Sequence, residues 1–321
     1  MTEILLVASQ NGFGHAKRLY EIAQEINRNG VNCKLLLSQN QIQIIKNGKQ
    51  PLIQNILIPA LGYGVDGYCN TKSIANIEKR TSRLVEKSKA VISDNTLWPL
   101  ELNSNFYLHA HFVWHHILND LSEQEYMKEV EKMSKIKLWF QNKFFNLSCK
   151  SFENNTVATQ QVKNLRFRVD SLIDKLPVNQ NEIWISSGSI PANEIISNKF
   201  KLSAKHFTFK RLETFRMYEL GYKPLFVLGR PGLSTIRDCL AAGVQFFPLD
   251  VNIDREMNSN MENLKELKLL PVDYKSLKVE NFELEYHLEK LLSPERIIPI
   301  WQEASESLND YVRNILNVVL T

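Results

Sequence analysis

Residues 4–18, Ile4-Leu5-Leu6-Val7-Ala8-Ser9-Gln10-Asn11-Gly12-Phe13-Gly14-His15-Ala16-Lys17-Arg18, decide how the chain is read. The run begins as an apolar, β-prone stretch and breaks at a loop carrying Gly12 and Gly14. A helical pattern follows at once, with Leu19, Ile22, Ala23 and Ile26 at i, i+3, i+4 and i+7 and Gly30 where a C-cap belongs. Strand, loop, helix and then a second apolar run at 33–38 is the opening of a parallel sheet with crossover helices. In an open sheet of that kind, ligands bind at the carboxyl edge, where the loop leaves its strand.

Outward from this unit, short strands at 56–60, 90–94, 106–109 and 136–140 continue the pattern. Residues 154–181 turn polar and lose periodicity, the mark of an interdomain linker. A second series follows, with strands at 183–186, 206–209, 225–228 and 244–249 and helices near 212–220, 235–242 and 254–267. Residues 294–320 read as one or two amphipathic helices interrupted at Pro299. A chain of 321 residues suits two domains, each large enough to bury its own core. The expected architecture is α/β, with two Rossmann-like domains over 1–160 and 161–321 and the final helix packing back on the first.

Hydrophobic residues make up 44% and charged residues 23%, a balance that excludes a disordered or fibrous chain. A formal net charge of +4 is too weak to indicate nucleic-acid binding and suits an anionic ligand or a peripheral contact with an anionic membrane. Cys33, Cys69, Cys149 and Cys239 form no C-x-x-C pair, which argues for a reducing compartment and against structural zinc. The N-terminal run lacks a basic, cleavable leader, and no stretch approaches about 18 consecutive apolar residues. A cytoplasmic protein is expected, touching at most the inner membrane face. The basic, aromatic segment 135–150, with Trp139, Phe140, Lys143, Phe144 and Phe145, has the composition to dock there. The alternation of Ile136, Leu138 and Phe140 favours a core strand instead.

Glycines at 12 and 14 let backbone approach a ligand, and the helix start beyond them offers free N–H groups and a partial positive charge to an anion. Gly-x-Gly-His lacks the third glycine of the dinucleotide fingerprint and no Walker lysine follows, which disfavours NAD or ATP. His15 is a candidate general base, because the positive helix end disfavours an imidazolium; its other reading is a packed or capping residue. Asp94 is either the acceptor that orients His15 through one ring nitrogen or a cap for the next helix. His109, His111, His115 and His116 have no Asp, Glu or Cys at a recognisable ligand spacing, so no metal site is expected. His111, Trp114 and His115 suit the lining of a pocket, with core burial as the alternative for the tryptophan. Further on, residues 228–243 set Arg230, Gly232, Ser234 and Thr235 between a strand and a helix start, where amides and hydroxyls can meet a diphosphate. A carboxylate such as Asp238 can accept from two ribose hydroxyls.

Residues 12–18 resemble the Gly-x-Gly-His-x-x-Arg start of GT-B proteins, which have two Rossmann-like domains with parallel sheets facing across a cleft. The resemblance includes the glycosyltransferase-like region of plant arabinokinases and, more distantly, the N-acetylglucosaminyltransferase that completes the lipid-linked peptidoglycan precursor. Val91-Ile92-Ser93-Asp94 and Phe112-Val113-Trp114-His115-His116-Ile117 are similar to the first group, with His115 where relatives carry aspartate. Residues 228–243 resemble the Arg-x-Gly-x-x-Thr-x-x-Glu-x-x-x-x-Gly motif of the peptidoglycan enzyme, Asp238 replacing its ribose-binding glutamate. Asp254-Arg255-Glu256-Met257-Asn258-Ser259-Asn260 is similar to its Asp-Arg-Gln-Gln-x-x-Asn, which implies Glu256 and Asn260 as contacts to the donor sugar. Arg168-Val169-Asp170 matches an Arg-x-Asp whose arginine meets donor phosphates, and Ile185-Ser186-Ser187-Gly188-Ser189 matches the glycine loop opening the second lobe. Only 35 residues separate Gly188 from Lys223, about one strand-helix unit fewer than the relatives carry.

The resemblance implies an inverting, metal-independent glycosyltransferase of bacterial-type glycan or glycoconjugate synthesis, with His15 and Asp94 as its catalytic pair. Its donor would be a UDP-sugar ahead of a CMP- or GDP-sugar, held without any further cofactor by Gly12, Gly14, Arg168, Ser187, Gly188, Ser189 and the second-lobe residues above. Its acceptor would be a glycan, a lipid-linked group or a protein, bound at His111, Trp114 and His115. Hydrolysis or epimerisation of a nucleotide sugar, or nucleotide-sugar binding without turnover, are the alternatives on the same fold.

Overall fold

The computed structural model describes residues 4–9, 13–47, 57–59, 79–110, 122–143, 159–163, 176–186, 208–211, 221–233, 235, 236, 239, 244–250, 255–266, 270, 277–278 and 307–321. The chain divides into two compact units, residues 1–167 with 304–321, and residues 168–303.

In the first unit, β1 (Ile4–Ala8), β2 (Cys33–Leu37), β3 (Leu57–Pro59), β4 (Ala90–Asp94), β5 (Phe106–Ala110), β6 (Leu138–Lys143) and β7 (Thr159–Lys163) form one sheet in the order β3-β2-β1-β4-β5-β6-β7. Every pairing is parallel. The connections carry α1 (Phe13–Arg28), α2 (Gln39–Asn47), α3 (Lys79–Lys87), a 3-10 turn (Trp98–Glu101) and α4 (Glu123–Ser134). The strands read as continuous apolar runs because both faces are covered. Ile4, Leu6, Ala8, Ile92 and Tyr107 pack with Leu19, Ile22, Ala23 and Ile26 of α1. Leu5, Val7, Val91, Phe106 and Leu108 pack on the other side with Val85 of α3 and Met133 of α4.

The second unit holds β8 (Val178–Ser186), β9 (Thr208–Arg211), β10 (Lys223–Gly229), β11 (Gln245–Asp250) and β12 (Leu277–Lys278), all parallel, in the order β12-β11-β10-β8-β9, with α5 (Arg255–Glu266) after β11. β8 starts five residues earlier than the apolar pattern at 183–186 indicates, because its first half is polar. At Gly229 a Cβ would meet the Ser186 carbonyl oxygen at 2.1 Å, so β8 and β10 approach as they do only because this position has no side chain.

Beyond the second unit, α6 (Leu308–Val319) returns to the first. Ser307 caps it by accepting from the Asp310 amide at 3.1 Å, and Tyr311, Val312, Ile315 and Val319 enter the same core as α1. The apolar stripe that sequence periodicity assigns to this region is therefore real and buried.

One reading of the sequence needs correction. Residues 159–163 fall inside the stretch that reads as a linker and across the boundary set at 160/161, yet they form β7 against β6. Thr159-Gln160-Gln161-Val162-Lys163 lacks apolar alternation, so its strand character comes from the open edge of β6 rather than from its own pattern. The segment 135–150 contains the core strand that its alternation favours: Trp139 and Phe140 are fully buried in β6, and the Trp139 indole N–H donates to the Ala110 carbonyl at 3.1 Å. Those two rings are core and not membrane anchors; Phe144 and Phe145 lie outside the described residues.

Candidate functional site

The strand order of the first sheet reverses between β1 and β4, since β2 and β3 lie on one side of β1 while β4 to β7 lead away on the other. At such a switch point the connections leave on opposite faces and a crevice opens at the carboxyl ends of the two strands. His15, in the first turn of α1, follows β1; Asp94 ends β4, in register with Ala8 and His109. Asp94 shares its strand face with Ile92, the face on which α1 packs. The side chains meet: His15 Nδ1 lies 2.9 Å from Asp94 Oδ1.

Arg18, one turn beyond His15 on the same side of α1, completes the cluster. Its Nε donates to Asp94 Oδ2 at 3.1 Å and its Nη2 to Oδ1 at 3.1 Å, with Nη2 also 3.0 Å from His15 Nδ1. The three side chains are shielded from water, Asp94 being 0%, Arg18 4% and His15 7% exposed. Burial by itself would push Asp94 up. The Arg18 guanidinium, then His15 with its hydrogen bond, and His109 outweigh burial and hold the carboxyl well below the usual carboxylate range. Asp94 is thus an ionised acceptor. It is not a helix cap: the 3-10 turn that follows starts at Trp98 with Leu97 before it and no side-chain cap.

The backbone around the cluster is tied down. The Ser9 amide donates to the Asp94 carbonyl at 3.0 Å, and the Gln41 side-chain amide of α2 donates to the Ser9 carbonyl at 2.8 Å. Asn95 turns the chain away from the strand with φ 63°, the left-handed region that asparagine tolerates better than most residues. On β5, His109 is hydrogen-bonded through Nδ1 to the Tyr311 hydroxyl of α6. That contact gives His109 a neighbour other than a metal. Among the described residues no group of three or more His, Cys, Asp or Glu is placed to hold one.

The second sheet reverses between β8 and β10, and the glycine loop leaves there. The Arg230 amide donates to the Ser186 carbonyl at 2.8 Å, Gly232 N–H to the Arg230 carbonyl at 2.7 Å, and Ile236 N–H to the Gly232 carbonyl at 3.0 Å. Ser186 and Thr235 bring their hydroxyls to 3.4 Å, so the two strand ends share a polar rim. Asn260 is buried, and its amide donates to the Pro231 carbonyl at 2.8 Å, which fastens α5 to the loop.

Of the remaining candidates, Gly14 stands beside His15 in the first turn of α1. Gly12, His111, Trp114, His115, Arg168, Ser187, Gly188, Ser189, Ser234 and Asp238 lie outside the described residues, as does the side chain of Glu256. Arg18 belongs to the motif at 12–18, but the motif alone assigns it no task. Its signal is the three-residue spacing from His15, which on a helix sets two side chains on one face. Cys33 and Cys239 are buried, and burial pushes the Cys33 thiol above its usual range. No described helix is long and apolar enough to cross a membrane.

No protein-family model and no curated protein sequence matches the chain. Solved structures do. The spinosyn forosaminyltransferase SpnP aligns over 100% of both chains with a TM-score of 0.64 at 11% identity. Arabidopsis thaliana UGT89C1 complexed with UDP aligns over 100% of both with a TM-score of 0.64 at 12% identity. The Streptomyces sp. glycosyltransferase SsfS6 complexed with thymidine diphosphate covers 99% of this chain and 100% of its own, with a TM-score of 0.57 at 13% identity. The fold is that of the GT-B glycosyltransferases.

Proposed function

We propose that this protein is a glycosyltransferase that moves a sugar from a nucleotide-sugar donor to an acceptor hydroxyl, with inversion and without a metal ion. The observation that carries the reading is the contact between His15 and an ionised, buried Asp94 at the switch point of a GT-B-type sheet. With Nδ1–H donating to Asp94, the other ring nitrogen, Nε2, carries a lone pair. In the transfer step the acceptor oxygen forms its bond to the anomeric carbon as its proton passes to Nε2. The bond from that carbon to the diphosphate oxygen breaks, and its electron pair leaves with the nucleoside diphosphate.

Donor recognition falls to the second unit in this reading. The loop at Arg230, Gly232 and Thr235 is ordered by backbone hydrogen bonds that engage the Arg230 and Gly232 amides, and it offers the Thr235 hydroxyl to a diphosphate. Sequence resemblance adds Arg168, Ser187, Gly188, Ser189 and Ser234 for the phosphates, Asp238 for the ribose and Glu256 for the sugar. An arginine that meets the departing diphosphate supplies the charge stabilisation that a divalent ion supplies elsewhere. UDP and thymidine diphosphate in the structural neighbours support a nucleoside diphosphate donor, with UDP-sugars first to test.

The experiment is a product assay over a panel of nucleotide sugars, with and without hydroxyl acceptors, on the wild type and His15→Ala. Acceptor-dependent release of nucleoside diphosphate is expected, and His15→Ala should lower the saturated rate roughly 100-fold or more while UDP affinity stays near normal. A His15→Ala protein that turns over normally at saturation would end the general-base assignment. Binding of UDP without consumption of any sugar would leave a binding protein in its place.

A further inference from the structure

The contacts around His15 contain a conflict. An imidazole nitrogen either donates or accepts. Asp94 Oδ1, at 2.9 Å from Nδ1, can only accept, whereas Arg18 Nη2, at 3.0 Å from the same nitrogen, can only donate. A proton on Nδ1 serves the carboxylate and leaves Nε2 bare; a proton on Nε2 serves the guanidinium and removes the lone pair that the proposed transfer needs.

Two observations decide between them. Arg18 already has acceptors: Nε and Nη2 reach Asp94 Oδ2 at 3.1 and 3.0 Å, and Nη2 reaches Oδ1 at 3.1 Å. If Nδ1 accepted from Arg18, its lone pair would face those of a carboxylate oxygen at 2.9 Å in a place closed to solvent, Asp94 being wholly buried. An N–H aimed at an ionised carboxylate is the stronger, charge-assisted contact. The guanidinium meanwhile grips both carboxylate oxygens side-on, a two-point hold that a lysine cannot reproduce. A carboxylate held at one point rotates; held at two, it keeps Oδ1 on the ring.

We infer that Arg18 is a positioning residue for His15, clamping the Asp94 carboxylate so that Oδ1 stays on Nδ1–H and Nε2 remains the bare nitrogen. The inference rests on the function proposed above for its catalytic meaning, but the clamp itself is measurable without any substrate. Among the described residues, the other titratable group acting on this carboxylate is His109 on β5, in register with Asp94 and held in turn by the Tyr311 hydroxyl of α6.

The test is two-bond nitrogen-proton correlation spectroscopy on the full chain with 15N-labelled histidine, at a pH where the ring is neutral. The His15 signals are assigned by their loss in His15→Ala. Wild type should show Nδ1 protonated and Nε2 bare. Arg18→Lys, which keeps a cation beside Asp94, should fold and show a mixture of the two forms, with saturated turnover down roughly 10-fold or more and UDP affinity unchanged. Arg18→Gln should show the mixture more fully; should it not fold, Arg18→Lys decides. A wild-type ring with its proton on Nε2, or an Arg18→Lys ring identical to wild type, overturns the clamp. Normal saturated turnover in His15→Ala would end the general-base assignment, and no acceptor-dependent release of nucleoside diphosphate by the wild type would sink the proposed function, whereas the clamp stands or falls on the nitrogen signals alone.

Discussion

Asp94 is the residue on which the first site turns, and its protonation links site to stability. Its carboxyl is held below the usual range, so the native state binds a proton less readily than the unfolded chain does. The stabilisation is therefore complete above the ordinary carboxylate value of about 3.9 and fades as pH falls below it toward the depressed native value. Asp94→Asn should remove this acid-dependent loss and lower stability at neutral pH by about 3–5 kcal/mol, because Arg18 would be left buried without its counter-charge. Denaturant titrations of both proteins from pH 7 to pH 3 check this; parallel curves would mean that the pair carries no linkage. The sequence made His15 and Asp94 legible because a glycine loop after a strand and an acid at a strand end mark carboxyl edges. Arg18 was not legible as a partner. A helical spacing gives a shared face but not what stands opposite it, and Asp94 lies 76 positions away.

At the level of single elements, the pairing of β8 with β10 depends on one missing methyl group. Gly229→Ala would drive a Cβ onto the Ser186 carbonyl oxygen, backbone against backbone, with no flexible side chain to yield. We expect a loss of about 1–3 kcal/mol or more and, under the proposed function, a weakened UDP affinity, since the Arg230 amide is bonded to that same carbonyl. Thermal melts and UDP calorimetry on Gly229→Ala test this, and a variant with unchanged melting would show that the strands separate at little cost. β10 was readable because its apolar run is largely buried, whereas β7 was not, its five residues containing one aliphatic side chain. Strands of that kind take their identity from the neighbour that pairs with them.

For the whole molecule, the alternation of strands and helices carried the architecture, and strand order, which no local pattern encodes, placed the switch points at β1/β4 and β8/β10. The division into units has one unusual property: residues 168–303 are inserted between the first sheet and α6. Tyr311, Val312, Ile315 and Val319 of α6 are all buried, and each such side chain stabilises by about 1.5–3 kcal/mol. Four of them rival the whole stability of an ordinary domain, about 5–15 kcal/mol. A chain ending at residue 307 should therefore fail to form the first unit cooperatively, as circular dichroism and proteolysis would reveal; a sharp, protected melt from that truncation would show α6 to be an accessory. During synthesis this order of assembly becomes a matter of time. At about 5–20 residues per second, the flank of α1 that α6 covers must wait on the order of 10 s while the second unit is made. The nascent chain emerges with its first core open on that side, and the apolar surface stays exposed to association with other chains until α6 arrives.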